Sequence, residues 1–103
     1  MIRAGGLYTR AMALLEDNVI EAAIADGEWR REDSAIVRDF SLPNFESAIA
    51  FVHSVAGLAE VANHHPDILV HSWNQVRLTC STHSEGGVTE ADLALAQQID
   101  QLA

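Results

Sequence analysis

Hydrophobic positions recur at two different periods along this chain, and the places where the period changes mark its elements. Val19, Ile20, Ala23 and Ile24 follow helical spacing, with Asp17 or Asn18 able to cap the helix and Asp26-Gly27 to stop it. Glu28 to Arg31 and Ala35 to Leu42 flank the turn residues Glu32-Asp33-Ser34, the signature of a β-hairpin. Pro43-Asn44 opens the longest helix, from about Phe45 to Asn63, in which Phe45, Ala48, Ile49, Phe51, Val52, Val55, Leu58, Ala59 and Ala62 cover a broad apolar surface. The remaining stripe of Glu46, His53, Gly57, Glu60 and His64 reads first as its solvated face.

After Pro66 come two extended runs, Asp67 to Ser72 and Asn74 to Thr82. In the second, Val76, Leu78 and Cys80 alternate with Arg77, Thr79 and Ser81, as in a half-buried strand. Continued alternation would place His83 on the Arg77 face, away from the apolar one. Ser84 to Gly87 form a loop. Thr89-Glu90-Ala91-Asp92 has the spacing of a capping box, with Asp in place of Glu or Gln, and starts a last helix to about Leu102. Leu95, Ile99 and Leu102 form its apolar stripe, and Asp92 lies three residues before Leu95, so its carboxylate is aimed inward. Residues 1–13 contain Gly5-Gly6 and little periodicity; they are expected to be a loose N-terminal extension to a single domain over 14–103. The pattern predicts an α+β domain: a four-stranded antiparallel sheet with three helices packed on one face, in the order α-β-β-α-β-β-α.

Composition narrows the functions. A chain of 103 residues with 49% hydrophobic side chains is one domain with a real core. Fifteen acidic against six basic side chains give a net charge of −9, and Arg30-Arg31 is the only basic pair, so direct nucleic-acid binding is not expected. The single cysteine, Cys80, has no partner for an internal disulfide. No secretory leader and no apolar run of membrane-spanning length are legible, so the chain is expected to be soluble and cytoplasmic, without membrane contact. Phosphate-cradling glycine motifs, Gly-x-Ser-x-Gly elbows and Cys-x-x-Cys pairs are absent from the sequence.

The chemistry concentrates in Glu60-Val61-Ala62-Asn63-His64-His65-Pro66 and in His83. Proline disfavours helical geometry in the residue before it, so the helix should stop at about His64 and the two rings should diverge from one corner. Glu60 precedes His64 by four residues, a spacing that lets its carboxylate support that ring. Imidazole titrates near physiological pH, which makes three histidines and a carboxylate a proton-handling set. A zinc-like site built from Glu60, His64, His65 and His83 is the rival reading, but adjacent histidines rarely converge on one ion. No metal and no cofactor are therefore expected.

The acidic residue, three others and then His-His-Pro, followed by Trp73-Asn74, Ser81-Thr82-His83 and Gly86-Gly87-Val88-Thr89-Glu90-Ala91-Asp92-Leu93, resembles the pterin-4a-carbinolamine dehydratase family. Upstream the likeness runs through Trp29, Ala35-Ile36 and Phe40, and it covers roughly Leu14 to Asp100. One residue more separates Pro66 from Trp73 than in better-known animal members, which a bulge before the second strand would absorb. The resemblance implies loss of water from a 4a-hydroxytetrahydropterin to give quinonoid dihydropterin. It implies His64, His65 and His83 around the substrate, with Glu60, Ser81, Thr82 and Asp92 binding or supporting. It also implies a pterin supplied by an aromatic amino acid hydroxylase, and a homodimer pairing sheet edges or a homotetramer that also packs helices. Some animal members stabilise the dimer of a homeodomain transcription factor, so a protein-interaction module is the alternative function, although nothing in this chain encodes that partner. Trp29 and Trp73 read as core or interface aromatics, and Cys80 as a buried, unreactive strand residue.

Overall fold

A computed structural model describes residues 13–103, so the expected lead-in over 1–13 lies, apart from Ala13, outside the described residues. Helix α1 (Asp17–Ile24), strands β1 (Arg30–Glu32) and β2 (Ala35–Ser41), helix α2 (Phe45–Ala62), strands β3 (Asp67–His71) and β4 (Gln75–Cys80), and helix α3 (Glu90–Asp100) follow in the expected order. The strands form one antiparallel sheet, ordered β1-β2-β4-β3.

Register assigns the two faces. Ile36 lies opposite Cys80, Arg38 opposite Leu78 and Phe40 opposite Val76, so these six share one face. All three helices cover that face. Asp17 of α1 pairs with Arg31, which lies opposite Ile36. Asp100 of α3 accepts hydrogen bonds from Arg38 and from Trp29 Nε1. Ala48, Val55 and Ala59 of α2 are buried, and Phe51 packs its ring 4.7 Å from that of Phe40. Ile20, Leu95 and Ile99 complete the core. On the other face, which no described helix covers, Asp39 binds both Arg30 and Arg77. The Arg77 hydrogen bond, then that of Arg30, holds the Asp39 carboxyl below its usual value, so what little these exposed pairs add to stability is present near neutrality and lost in acid.

Three expectations are corrected in detail. Asp17 does not cap α1; Glu16 holds the cap position without a side-chain bond, and Asp17 is drawn instead to Arg31 at 3.2 Å. No bulge precedes β4, because β3 and β4 pair without interruption from Asp67–Thr79 to His71–Gln75. The departure from regular strand geometry lies in the β3–β4 turn, where Ser72 and Trp73 adopt φ of 49° and 57°, a left-handed geometry that side chains rarely take. Helix α2 is 18 residues long with a mean hydropathy of 1.3, so by length and composition it could cross a membrane, which the sequence reading did not allow for. Its apolar residues divide between contact with the sheet and an exposed set including Phe45, Ile49 and Val61.

Candidate active site

The end of α2 sets the first histidine. Asn44 starts the helix by accepting the Ser47 N–H, and Asn63 ends it in the left-handed conformation, φ 51° and ψ 42°. The Asn63 N–H bonds the Glu60 carbonyl and the His64 N–H bonds the Ala59 carbonyl, which is a Schellman closure. The helix therefore stops at Ala62, before Pro66 can act on His65. This left-handed step removes His64 from the helical register, so Glu60 and His64 are not paired, contrary to the expectation from their spacing. Glu60 Oε2 instead meets His65 Nε2 at 2.6 Å, in an exposed pair.

His64 turns inward. Its Nε2 lies 2.6 Å from Asp92 Oδ1, and the Asp92 side chain is fully buried. Asp92 is placed by the capping box at the start of α3, in which its Oδ2 accepts the Thr89 N–H at 2.9 Å. The same oxygen accepts the Thr82 hydroxyl at 2.8 Å. The inward carboxylate was legible from the sequence, whereas its partner His64 was not.

Thr82 links this pair to the third histidine. Its backbone bridges Gly87, and the Gly86 N–H bonds the Thr82 carbonyl, closing a tight loop that contains a 3-10 turn over His83–Glu85. Gly86 takes φ 74°, which favours glycine there. His83 thus leaves the strand alternation and sits exposed in the loop, one residue beyond Thr82, instead of on the Arg77 face. Ser81 points elsewhere: its hydroxyl donates to the Ser34 carbonyl at 2.8 Å. Thr89 was read from the sequence only as a cap, yet its hydroxyl also lies 2.8 Å from that of Thr82, completing a buried polar cluster. Beneath it, Cys80 is buried. That burial, and then the nearby Asp92 charge, pushes the Cys80 thiol up to about 12, so it stays protonated near neutral pH.

Chemically the site offers two neighbouring imidazoles, each with its own carboxylate, and a third ring on a loop fixed to the same buried cluster. Among the described residues, no three His, Cys, Asp or Glu side chains converge closely enough to hold a metal ion. The other histidines lie outside this set. His71 contacts Ser72, and His53 is on the exposed side of α2.

The profile of the family described as "Pterin 4 alpha carbinolamine dehydratase" matches residues 13–102. A protein of Roseiflexus castenholzii, named provisionally as a pterin-4-alpha-carbinolamine dehydratase, is 50% identical over 91 residues, covering 87% of this chain and 97% of that one. A similarly named protein of Thermomicrobium roseum is 45% identical over 93 residues, covering 89% and 99%. Among solved structures, a "transcriptional coactivator/pterin dehydratase" from Brucella melitensis superposes with a TM-score of 0.81 at 33% identity, over 87% of this chain and 98% of that one. A pterin dehydratase-like protein identified as a RuBisCO assembly factor shares the fold, with a TM-score of 0.59 at 24% identity, over 73% and 86%.

Proposed function

Since this chain belongs to the pterin 4 alpha carbinolamine dehydratase family, we propose that it is a hydro-lyase that dehydrates 4a-hydroxytetrahydropterin to quinonoid dihydropterin. The observation that carries this is the pair of adjacent imidazoles, each 2.6 Å from a separate carboxylate. The reaction needs one proton delivered to the leaving 4a-hydroxyl, which departs as water, and one proton removed from a ring nitrogen. Imidazoles can do both near neutral pH, each positioned group supplying a rate factor of about 10² to 10⁴. His83 is the third candidate for contact with substrate, and Thr82 and Asp92 hold the histidine side of the site. A pterin-dependent aromatic hydroxylase would supply the carbinolamine, in the cytoplasm.

The test is turnover of chemically generated carbinolamine by the wild-type protein against His65→Ala. Turnover that stays at the uncatalysed rate with the wild-type protein would sink the proposal. The same assay reads metal dependence: exhaustive chelation is expected to leave the rate unchanged, and added zinc to give no acceleration. Activity that vanishes with the chelator and returns with zinc would favour the metal reading instead.

Assembly belongs to the same proposal. Phe45, Ile49 and Val61 on α2 and Trp73 at the β3–β4 turn are exposed apolar residues, and β3 is an edge of the described sheet. Light scattering at micromolar concentration is expected to give the mass of a dimer or tetramer; a monomer mass would count against it. An interaction-module function, in line with the description of one structural relative as a transcriptional coactivator, would use the same exposed residues. A pull-down that recovers only further copies of this chain would argue against it.

A further inference from the structure

Proton counting gives the buried hydroxyl pair one direction. A threonine hydroxyl has a single proton to donate. That of Thr82 goes to Asp92 Oδ2, so the 2.8 Å bond between the two hydroxyls is donated by Thr89. Thr89 Oγ1 in turn accepts the Ala91 N–H at 3.3 Å. Oδ2 receives two donated bonds, from the Thr82 hydroxyl and the Thr89 N–H, and Oδ1 is left facing His64. All three residues of this chain of bonds are buried, so water cannot readily reverse it.

We propose that Asp92, its Oδ2 held by Thr82 and Thr89, fixes the tautomer of His64, keeping its hydrogen on Nε2 and leaving Nδ1 as the nitrogen that exchanges a proton with the ligand. A ring nitrogen's hydrogen is assigned by what the other nitrogen bonds to, and Asp92 Oδ1 is an acceptor for Nε2–H. No described residue hydrogen-bonds Nδ1. The His64 side chain is mostly but not fully buried, and its Nδ1 is not sealed from solvent. Thr82 and Thr89 are then positioning residues that act through Asp92. His65 differs: its carboxylate partner Glu60 is exposed and takes no further hydrogen bond from a described side chain, so nothing comparable locks that ring. One histidine of the pair has an assigned working atom and its neighbour does not.

The identity of the proton partner as a pterin rests on the dehydratase reading; the tautomer does not. The test is long-range ¹⁵N–¹H correlation of the ring nitrogens at a pH where the rings are neutral, with carbinolamine turnover alongside. Asp92→Asn keeps the side chain's shape, and with its carbonyl on Thr82 and Thr89 its amide faces His64 Nε2 as a donor, so Asp92 is the site to vary. Thr82→Val is the control, because it leaves Oδ1 an acceptor. The wild-type protein should show His64 in the Nε2–H form, and so should Thr82→Val. Asp92→Asn should move the hydrogen of His64 to Nδ1 while leaving the His65 signals unmoved. Its kcat should fall about 100-fold or more, with KM little changed. A wild-type His64 protonated at Nδ1, or a folded Asp92→Asn protein with the wild-type tautomer, would overturn the proposal. If the wild-type protein shows no turnover, the dehydratase reading fails and the nitrogen spectrum still decides this one.

Discussion

Changing His64 and His65 together to Ala is expected to lower carbinolamine turnover by about 10⁴-fold or more, since each positioned acid or base supplies about 10² to 10⁴. That corresponds to roughly 5 kcal/mol or more of lost transition-state stabilisation. Either single change should leave measurable activity, because the neighbouring ring can partly substitute when the 4a-hydroxyl is presented on either face. The two singles should differ in stability. His65 is exposed, so its removal should cost little. His64 is mostly buried against Asp92, and its loss leaves Oδ1 of that carboxylate without a partner, at about 1–3 kcal/mol. Circular dichroism and the oligomer mass should stay native in the double variant. A folded double variant within tenfold of the wild-type rate would make the histidine pair a structural corner, with no part in the chemistry.

Asp92→Ala is the second large effect, and it should strike activity and stability together. The change orphans the buried Thr82 hydroxyl and the Thr89 N–H and removes half of the α3 capping box. At about 1–3 kcal/mol for each of the two stranded groups, urea denaturation should show a loss of roughly 2–6 kcal/mol. Turnover should fall by about 10² to 10⁴, as expected when a histidine loses the acid that orients it. Asp92→Asn separates the two effects. Its carbonyl can still accept from Thr82 and Thr89, so stability should largely return. Its amide would face His64 as a donor, so turnover should stay low. Recovery of both in the Asn variant would mean that the carboxylate serves the fold alone.

Much of the fold was legible because each element carries its own local signal. The alternation of Val76, Leu78 and Cys80, the Asn44 cap and the Thr89–Asp92 spacing depend on neighbours only, and the structure places β4, α2 and α3 where these signals lie. The site was legible in its residue types but not in its pairings. Helical spacing assigned Glu60 to His64, and it failed because one left-handed residue, Asn63, breaks the register between them. The true partner, Asp92, lies 28 residues away and is reached only through the sheet and α3. Alternation likewise misplaced His83, since the Thr82–Gly87 bridge ends the strand and starts a loop. The hydroxyl pair of Thr82 and Thr89 could not be read at all, because its geometry exists only once that bridge brings the two residues together.

The two tryptophans stand in opposite environments: Trp29 is 6% exposed with its indole N–H held by Asp100, and Trp73 is 60% exposed on a left-handed turn. The chain therefore contains two optical reporters with separable sensitivities. Iodide in solution should quench Trp73 emission first and leave Trp29 dark to it until denaturant opens the core. If Trp73 is covered when copies associate, quenching should weaken as protein concentration rises, and a Trp73→Phe protein should lose that dependence while keeping the unfolding signal. Intrinsic fluorescence alone could then follow folding and association in one sample.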